Sequence, residues 1–326
     1  MKVFIVGGTG FIGYYSALEF LNRGHSVTTI SLPDIEIGEW FPEEVEIKYG
    51  NVFEMSKTEI TALFLGFDAV VYAVGPDDRV TPKAPAYEFF HERLVEACGR
   101  VVSAAKSAGI KKCVVMNSYF AYFDRVFPHK KLSQRHSYIK CRIEQAERVI
   151  SEDGNGMDVM VLELPYIFGT MPERVPLWKD ILVKMLYENK IILYPKGGSN
   201  MISIEHVAEA VAGAVERGQH GRRYPIGDAN LSWVEMLKFM LNYMNMSHKR
   251  IITLPCFLVS LKGRQMKREE RKHGLEAGLN PIYIFKDILC KKFYFDPSDS
   301  AAELGYGRGG IQDSIKKTIE ACIKDM

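Results

Sequence analysis

The chain opens on a short unbroken apolar run, Val3–Val6, the pattern of a strand buried on both faces. Over Phe11–Arg23 the period changes, and Ile12, Ala17, Leu18 and Leu21 fall on one side of a helix. Gly24 and His25 then turn the chain into Ser26–Ser31, a second strand rich in Val and Thr. The alternation continues with expected strands at Val45–Tyr49, Asp68–Val74, Lys112–Asn117 and Asp158–Leu162. Between them lie expected helices at about Tyr87–Ala108, closed by Gly109, and at about Gln134–Ser151. Strands that alternate with helices predict an α/β fold: a doubly wound parallel sheet, helices on both faces, and ligands at the edge where the strands end.

After Pro165 the pattern loosens. Pro and Gly punctuate it at Pro172, Pro176, Pro195 to Gly198 and Gly218 to Gly221. Short strands (Ile191–Tyr194, Arg223–Ile226, Arg250–Thr253) mix with helices at about Ile204–Glu216, Trp233–Asn245 and Gln312–Lys324. The reading is a sheet domain over 1–165, joined by about 200–226, and a smaller α+β region over 166–326 that mainly serves the substrate.

Composition narrows the class. With 326 residues there is room for two fused units, and 47% apolar and 25% charged residues exclude disordered and collagen-like chains. The 42 basic and 40 acidic side chains leave a net charge of +2, so the chain as a whole attracts neither nucleic acid nor membrane. Six cysteines form no CxxC pair and no zinc spacing, which predicts reduced thiols and no metal. No signal-peptide pattern and no apolar run of ~18–20 residues is present, so a cytoplasmic protein without a membrane partner is expected.

The strongest motif is Gly7-Gly8-Thr9-Gly10-Phe11-Ile12-Gly13, placed between a strand and a helix. Gly7 permits a sharp turn, Gly10 leaves room for a pyrophosphate, and Gly13 lets the helix approach the sheet. Free amides and the helix dipole at this end favour a dianion. This segment resembles the fingerprint of extended short-chain dehydrogenases/reductases, the NAD-dependent epimerase/dehydratase group. The similarity continues in order through Gly50-Asn51-Val52, Ala73-Val74-Gly75, Ala104 to Lys111, Pro165-Tyr166-Ile167-Phe168-Gly169, Ser203 to Ala208, Tyr224 to Gly227, and Phe295 to Tyr306.

The resemblance implies a Rossmann-type domain that binds NAD or NADP. The cofactor-binding residues it implies are Gly7, Thr9, Gly10, Phe11, Ile12, Gly13, Ser31, Asn51, Val52, Ala73, Val74, Gly75, Tyr138, Arg142, Pro165 and Ile167. NAD-binding relatives end the second strand on an acid; Ser31 stands there and would not repel a 2′-phosphate. No Arg or Lys follows at once to hold that phosphate, and Asp34 is three residues on, so NAD and NADP both stay open.

The family also implies a Ser/Thr, a Tyr and a Lys in catalysis. Ser118, at a strand end, matches the first; the plain alternative is a serine that makes a turn. Tyr138 matches the Tyr of YxxxK, but Arg142 stands in place of the Lys. A phenol titrates near ~10 and needs a cation to act near neutrality. Arg is able to lower that value and to hold a ribose, yet unlike Lys it cannot relay a proton by ionising. Ordinary Tyr-based catalysis and an altered or lost activity are therefore both carried forward. Lys140 is expected to face elsewhere, and His136 is read as an exposed histidine of a kind more often uninvolved. Glu163 and Leu94 depart from residues common in relatives.

These features point to an enzyme that moves hydride at a carbinol or carbonyl carbon. The resemblance makes a nucleotide sugar the leading small-molecule substrate. Two alternatives remain: an NADPH-dependent carbonyl reductase similar to dihydroflavonol reductases, on Lys292 to Asp296, and a non-catalytic cofactor-sensing or RNA-binding member of the fold. The RNA reading rests on the basic run Lys262–Lys272, whose plain alternative is a solvated helix face. The resemblance also implies a homodimer through the helices Tyr87–Ala108 and Gln134–Ser151. Leu94, Val95, Val101 and Val102 either supply that surface or face the sheet.

Overall fold

The fold comes from a computed structural model that describes residues 1–152 and 156–326. The first half of the chain forms β1 (Lys2–Val6), β2 (Ser26–Ser31), β3 (Glu46–Tyr49), β4 (Ala69–Tyr72), β5 (Lys112–Ser118) and β6 (Asp158–Leu164), nearly all buried except β3, which stays partly exposed at the edge of the sheet. The remaining strands are β7 (Tyr166–Phe168), β8 (Ile191–Pro195), β9 (Gly198–Ser203), β10 (Arg223–Pro225), β11 (Ala229–Ser232), β12 (Arg250–Leu254) and β13 (Lys292–Phe293). The main sheet runs β3-β2-β1-β4-β5-β6-β10, parallel throughout. Sequence order reverses between β1 and β4, so a crevice opens at their C-terminal ends.

Two cores sandwich this sheet. On one face, Tyr14, Ala17 and Phe20 of helix Phe11–Asn22 pack with Val207, Val211 and Ala214 of helix Ile204–Arg217. On the other face, Ile60 and Phe64 of helix Lys57–Phe64 join Val101, Val102 and Ala105 from the helix over 86–107, and Ala146 and Val149 from helix Ser137–Ser151. The helix over 86–107 contains a π-helical stretch at His91–Glu96. Leu94, Val95, Val101 and Val102 are all buried in the chain's own cores and offer no free surface to a second copy.

Two local readings change. The expected helix from about Gln134 breaks at His136, where an extended residue separates Leu132–Arg135 from Ser137–Ser151. His136 is fully buried rather than exposed. Its Nδ1 accepts a hydrogen bond from the Asn280 amide at 3.0 Å, and its Nε2 lies 3.6 Å from Asp287. Arg135 also pairs with Asp287, at 2.8 Å, so the start of the helix that carries Tyr138 is tied to the C-terminal region.

In the C-terminal half, β9 lies between β11 and β13 and also pairs with β7, while β8 pairs with β12. Strand β9 is Gly-Ser-Asn-Met-Ile-Ser, a polar segment with every residue buried. Ser199 and Asn200 are satisfied there by Tyr119 at 2.8 Å and Asn230 at 3.0 Å. All six cysteines are free. No described helix is long and apolar enough to cross a membrane.

Glu163 is explained by packing. Its side chain is 0% exposed in β6, and Arg125 grips both carboxylate oxygens, at 2.9 and 2.7 Å. Removing Arg125 leaves a buried carboxylate unpaired, which costs ~3–5 kcal/mol for a fully buried pair. Arg125 is itself 40% exposed, so screening reduces the effect. Arg125→Ala is expected to lower unfolding free energy by about 2 kcal/mol in urea titrations at neutral pH. An unchanged midpoint would show that the pair contributes nothing.

Candidate active site at the strand ends

The glycine loop is built by exclusion. Gly7 has φ 90°, and a Cβ there would lie 2.9 Å from the Ala73 carbonyl oxygen on the turn after β4. A Cβ on Gly13 would overlap the Gly7 carbonyl and the Gly8 Cα. Only glycine lets strand, loop and first helix meet this closely. The position of a Cβ on Gly10, by contrast, meets only the Gly7 oxygen, at 3.3 Å. Gly10 is the N-cap of helix Phe11–Asn22, no side chain caps it, and no acid stands in the first turn. The helix dipole and its first amides are left for an anion.

Side chains fix the loop from below. Thr29 Oγ1 accepts from the Gly8 amide at 2.8 Å and donates to the Ile5 carbonyl at 2.8 Å. Thr9 and Ser31 share a hydroxyl–hydroxyl bond of 3.1 Å, and both are buried. Ser31 thus sits beside the loop as its position predicts, with no carboxylate at the end of β2. Asn51 Oδ1 accepts from the Phe53 amide at 3.1 Å, its Nδ2 donates to Glu54 at 2.8 Å, and Val52 belongs to the core. Phe11 lies edge-on to Tyr15 and near Gly169, while Ile12 packs against the core below.

The other residues expected at this edge divide. Ala73 and Val74 wall the loop, and Gly75 has φ 132° with Leu94 directly beneath it. Leu94 is a core residue that also supports this turn. Pro165 is buried, and the Ile167 carbonyl accepts from the Trp178 indole at 3.0 Å. A pyrophosphate fits this cradle: open space at Gly10, bare amides, and no opposing acid in the first turn. Among the described residues, no His/Cys/Asp/Glu group is arranged to hold a metal.

Tyr138 and Arg142 stand together one helical turn apart. Arg142 Nε donates to the Tyr138 hydroxyl at 2.9 Å. The same guanidinium donates through Nη1 to Gln145 Oε1 at 2.9 Å and to the Met116 carbonyl at 3.2 Å. Nη2 donates to the Pro76 carbonyl at 3.4 Å, just after Gly75. Asn117 Nδ2 closes the network on the Gln145 oxygen, at 3.0 Å, and on the Arg142 carbonyl, at 2.8 Å. Lys140 points away, over the Tyr87 ring.

Electrostatics at the phenol oppose one another. Burial pushes Tyr138 up, the Arg142 guanidinium pulls it down, and Asp78 and Asp77 push it up again. The net shift is upward: in this state the cation does not overcome burial of a ring that is 3% exposed. Ser118 Oγ accepts from the Phe120 amide at 3.3 Å and caps helix Tyr119–Val126, so its acceptor side is engaged in the turn. The hydroxyl keeps a proton to donate.

Three participants were not foreseen. Asn117 ends an apolar run and Gln145 lies in a charged helix segment, and no motif marks either. Asp78 follows Gly75-Pro76-Asp77, where the expected turn was read no further. Burial and the neighbouring Asp77 raise the Asp78 carboxyl, and its charge acts on Tyr119, Tyr138 and Tyr166 together. Phe293 and Phe295, part of the reductase-like segment, are buried core residues beside Phe123.

Comparison with known proteins agrees with this fold. The model of the NAD-dependent epimerase/dehydratase family matches residues 3–227. A UDP-glucose 4-epimerase of Klebsiella pneumoniae is 25% identical over 135 residues, which is 38% of this chain and 94% of that protein. A nucleoside-diphosphate-sugar epimerase of Pseudomonas aeruginosa superposes with a TM-score of 0.72 at 16% identity, over 100% of this chain and 98% of the other. The Bordetella bronchiseptica enzyme WbmH, solved with NAD+, gives 0.70 at 18% identity over 98% and 97%.

The cradle yields a direct test. Gly13→Ala places a methyl group against the Gly7 carbonyl and must push the first helix off the loop. A ligand at ~100 times its Kd stabilises a protein by about 2.7 kcal/mol. Saturating dinucleotide is therefore expected to raise the melting temperature of the natural chain by several degrees and that of Gly13→Ala by little or nothing. Equal rises in both would remove the loop from the binding site.

Proposed function

This chain belongs to the NAD-dependent epimerase/dehydratase family, and on that premise we propose that it is an enzyme interconverting carbinol and carbonyl carbons of a nucleotide sugar. Gly7, Thr9, Gly10, Phe11, Ile12 and Gly13 would hold the pyrophosphate of a nicotinamide dinucleotide, NAD or NADP. Ser31 with Asn51 and Val52 would line the adenosine end, and Ala73, Val74, Gly75, Pro165 and Ile167 the middle and the nicotinamide end. When bound, the nicotinamide supplies the acceptor and donor of hydride.

The protein's own part is proton handling and orientation. The single observation that supports it is the 2.9 Å bond between Arg142 and the Tyr138 hydroxyl at the edge that also carries the glycine loop. Tyr138 exchanges the hydroxyl proton of the substrate, and Arg142 is the permanent charge that stabilises its phenolate. Ser118 donates its free proton to the substrate oxygen. Gln145 and Asn117 keep the guanidinium in place. Arg142 would also hold the nicotinamide ribose, through the donors that now reach Pro76.

The same pairing favours a second reading, in which the dinucleotide is bound without turnover. Arg142 cannot pass a proton onward by ionising, and the phenol it contacts is raised. Small molecules that copurify with the protein separate these cases in part: nucleotide retained through purification, identified by mass spectrometry, fits a cycle that regenerates its own cofactor. Turnover of nucleoside-diphosphate sugars, followed by chromatography of the products, decides between them.

Tyr138→Phe is expected to reduce that turnover ~10²–10⁴-fold, the usual scale for a proton-transferring group. Undiminished turnover would remove Tyr138 from the chemistry. Arg142→Met takes away both influences that lower the phenol, so the limb of the rate profile that reports Tyr138 ionisation should move to higher pH. A limb that stays in place would mean that Arg142 acts only as a support.

A further inference from the structure

Helix Cys256–Lys272 is the least covered long helix of the chain: of its 17 residues only Val259 and Gly263 are buried. Gly263 is pressed against the Pro281 carbonyl and Phe285, which fixes that side inward. The opposite side reads Phe257, Leu261, Arg264 and Arg268, at spacings of four, three and four residues, so the four share one outward line. Its first part is bare hydrocarbon: Phe257 is 69% exposed, Leu261 57% and the neighbouring Leu258 43%. Its second part is cationic. Lys262, Arg264, Arg268 and Arg271 are exposed, and none has an acidic partner among the described residues. Strand β12, which leads into this helix, and its partner β8 add exposed Ile252, Ile191 and Leu193.

We propose that this helix is a docking element that lies on an anionic lipid bilayer, with Phe257, Leu258 and Leu261 in the acyl boundary and Arg264, Arg268 and Arg271 on the headgroups. Here hydrocarbon and cations follow one another along a single outward line, so that line meets a bilayer surface with the apolar end dipping into the acyl boundary and the arginines resting on the headgroups, without spanning. Charge complementarity selects this occupant: unpaired cations beside exposed hydrocarbon match acidic headgroups over acyl chains. A second copy fits worse, because a two-fold contact sets the same cationic row on both sides. RNA would use the cations but gains little from Leu258 and Leu261, and Phe257 is the helix's sole aromatic residue for base stacking.

The test is sedimentation of the full chain with vesicles of phosphatidylcholine alone or mixed with phosphatidylglycerol. Binding is expected only to the mixed vesicles, weakening at least ~10-fold when salt is raised. Phe257→Glu with Leu261→Glu should reduce it at least ~10-fold. Its melting temperature should stay close to that of the natural chain, because both side chains face solvent. Arg264→Ala with Arg268→Ala and Arg271→Ala should abolish the preference for acidic lipid. Absence of vesicle binding, binding indifferent to either set of changes, or equal binding to neutral vesicles would overturn the proposal. So would salt-dependent RNA binding without vesicle binding. Concentration-dependent dimers that the Glu variant dissolves, again without vesicle binding, would assign the face to a second copy instead.

Discussion

The first helix approaches β1 so closely that no side chain fits between them, and the rest of the active edge is arranged around that contact. A methyl group on Gly13 would overlap the Gly7 carbonyl, and one on Gly7 would press on Ala73. Because the contact is glycine on glycine, the helix begins at the strand end with its N-terminus uncapped. Its amides and dipole then face the crevice where strand order reverses, the place a parallel sheet offers a ligand. Thr29 and the Thr9–Ser31 pair hold the loop from beneath, so the cradle is set before any ligand arrives.

The second half of the site is a contest between burial and a guanidinium. In relatives with Lys at this position the cation is able to change its protonation; here Arg142 is a fixed charge held by Gln145, Met116 and Pro76. It faces a phenol that burial and two aspartates drive upward. The Pro76 contact joins the Tyr138–Arg142 pair to the turn that walls the glycine loop, so the two halves of the edge form one connected structure.

Much of this was legible along the chain because the signals were local. Apolar and β-branched runs alternating with helical patterns marked the parallel strands, and a glycine motif between a strand and a helix marked the cradle. What escaped depended on partners distant in sequence. Strand β9 looks polar, and it becomes a buried strand only because Tyr119 and Asn230 satisfy Ser199 and Asn200. Asn117 and Gln145 gain meaning only when β5 and helix Ser137–Ser151 come together. His136 read as exposed because nothing near it in sequence reveals Asn280 and Asp287. Leu94 and its neighbours read equally as a dimer surface or as inward packing, and the fold turns them inward.

The account stands or falls on the cradle. Titration calorimetry of the pure protein, cleared of any retained nucleotide, with oxidised and reduced NAD and NADP measures it directly. Uptake of at least one of these coenzymes with one site per chain is the predicted result. Heats no larger than dilution for all four would contradict the central claim, and with it every step assigned to Tyr138 and Arg142.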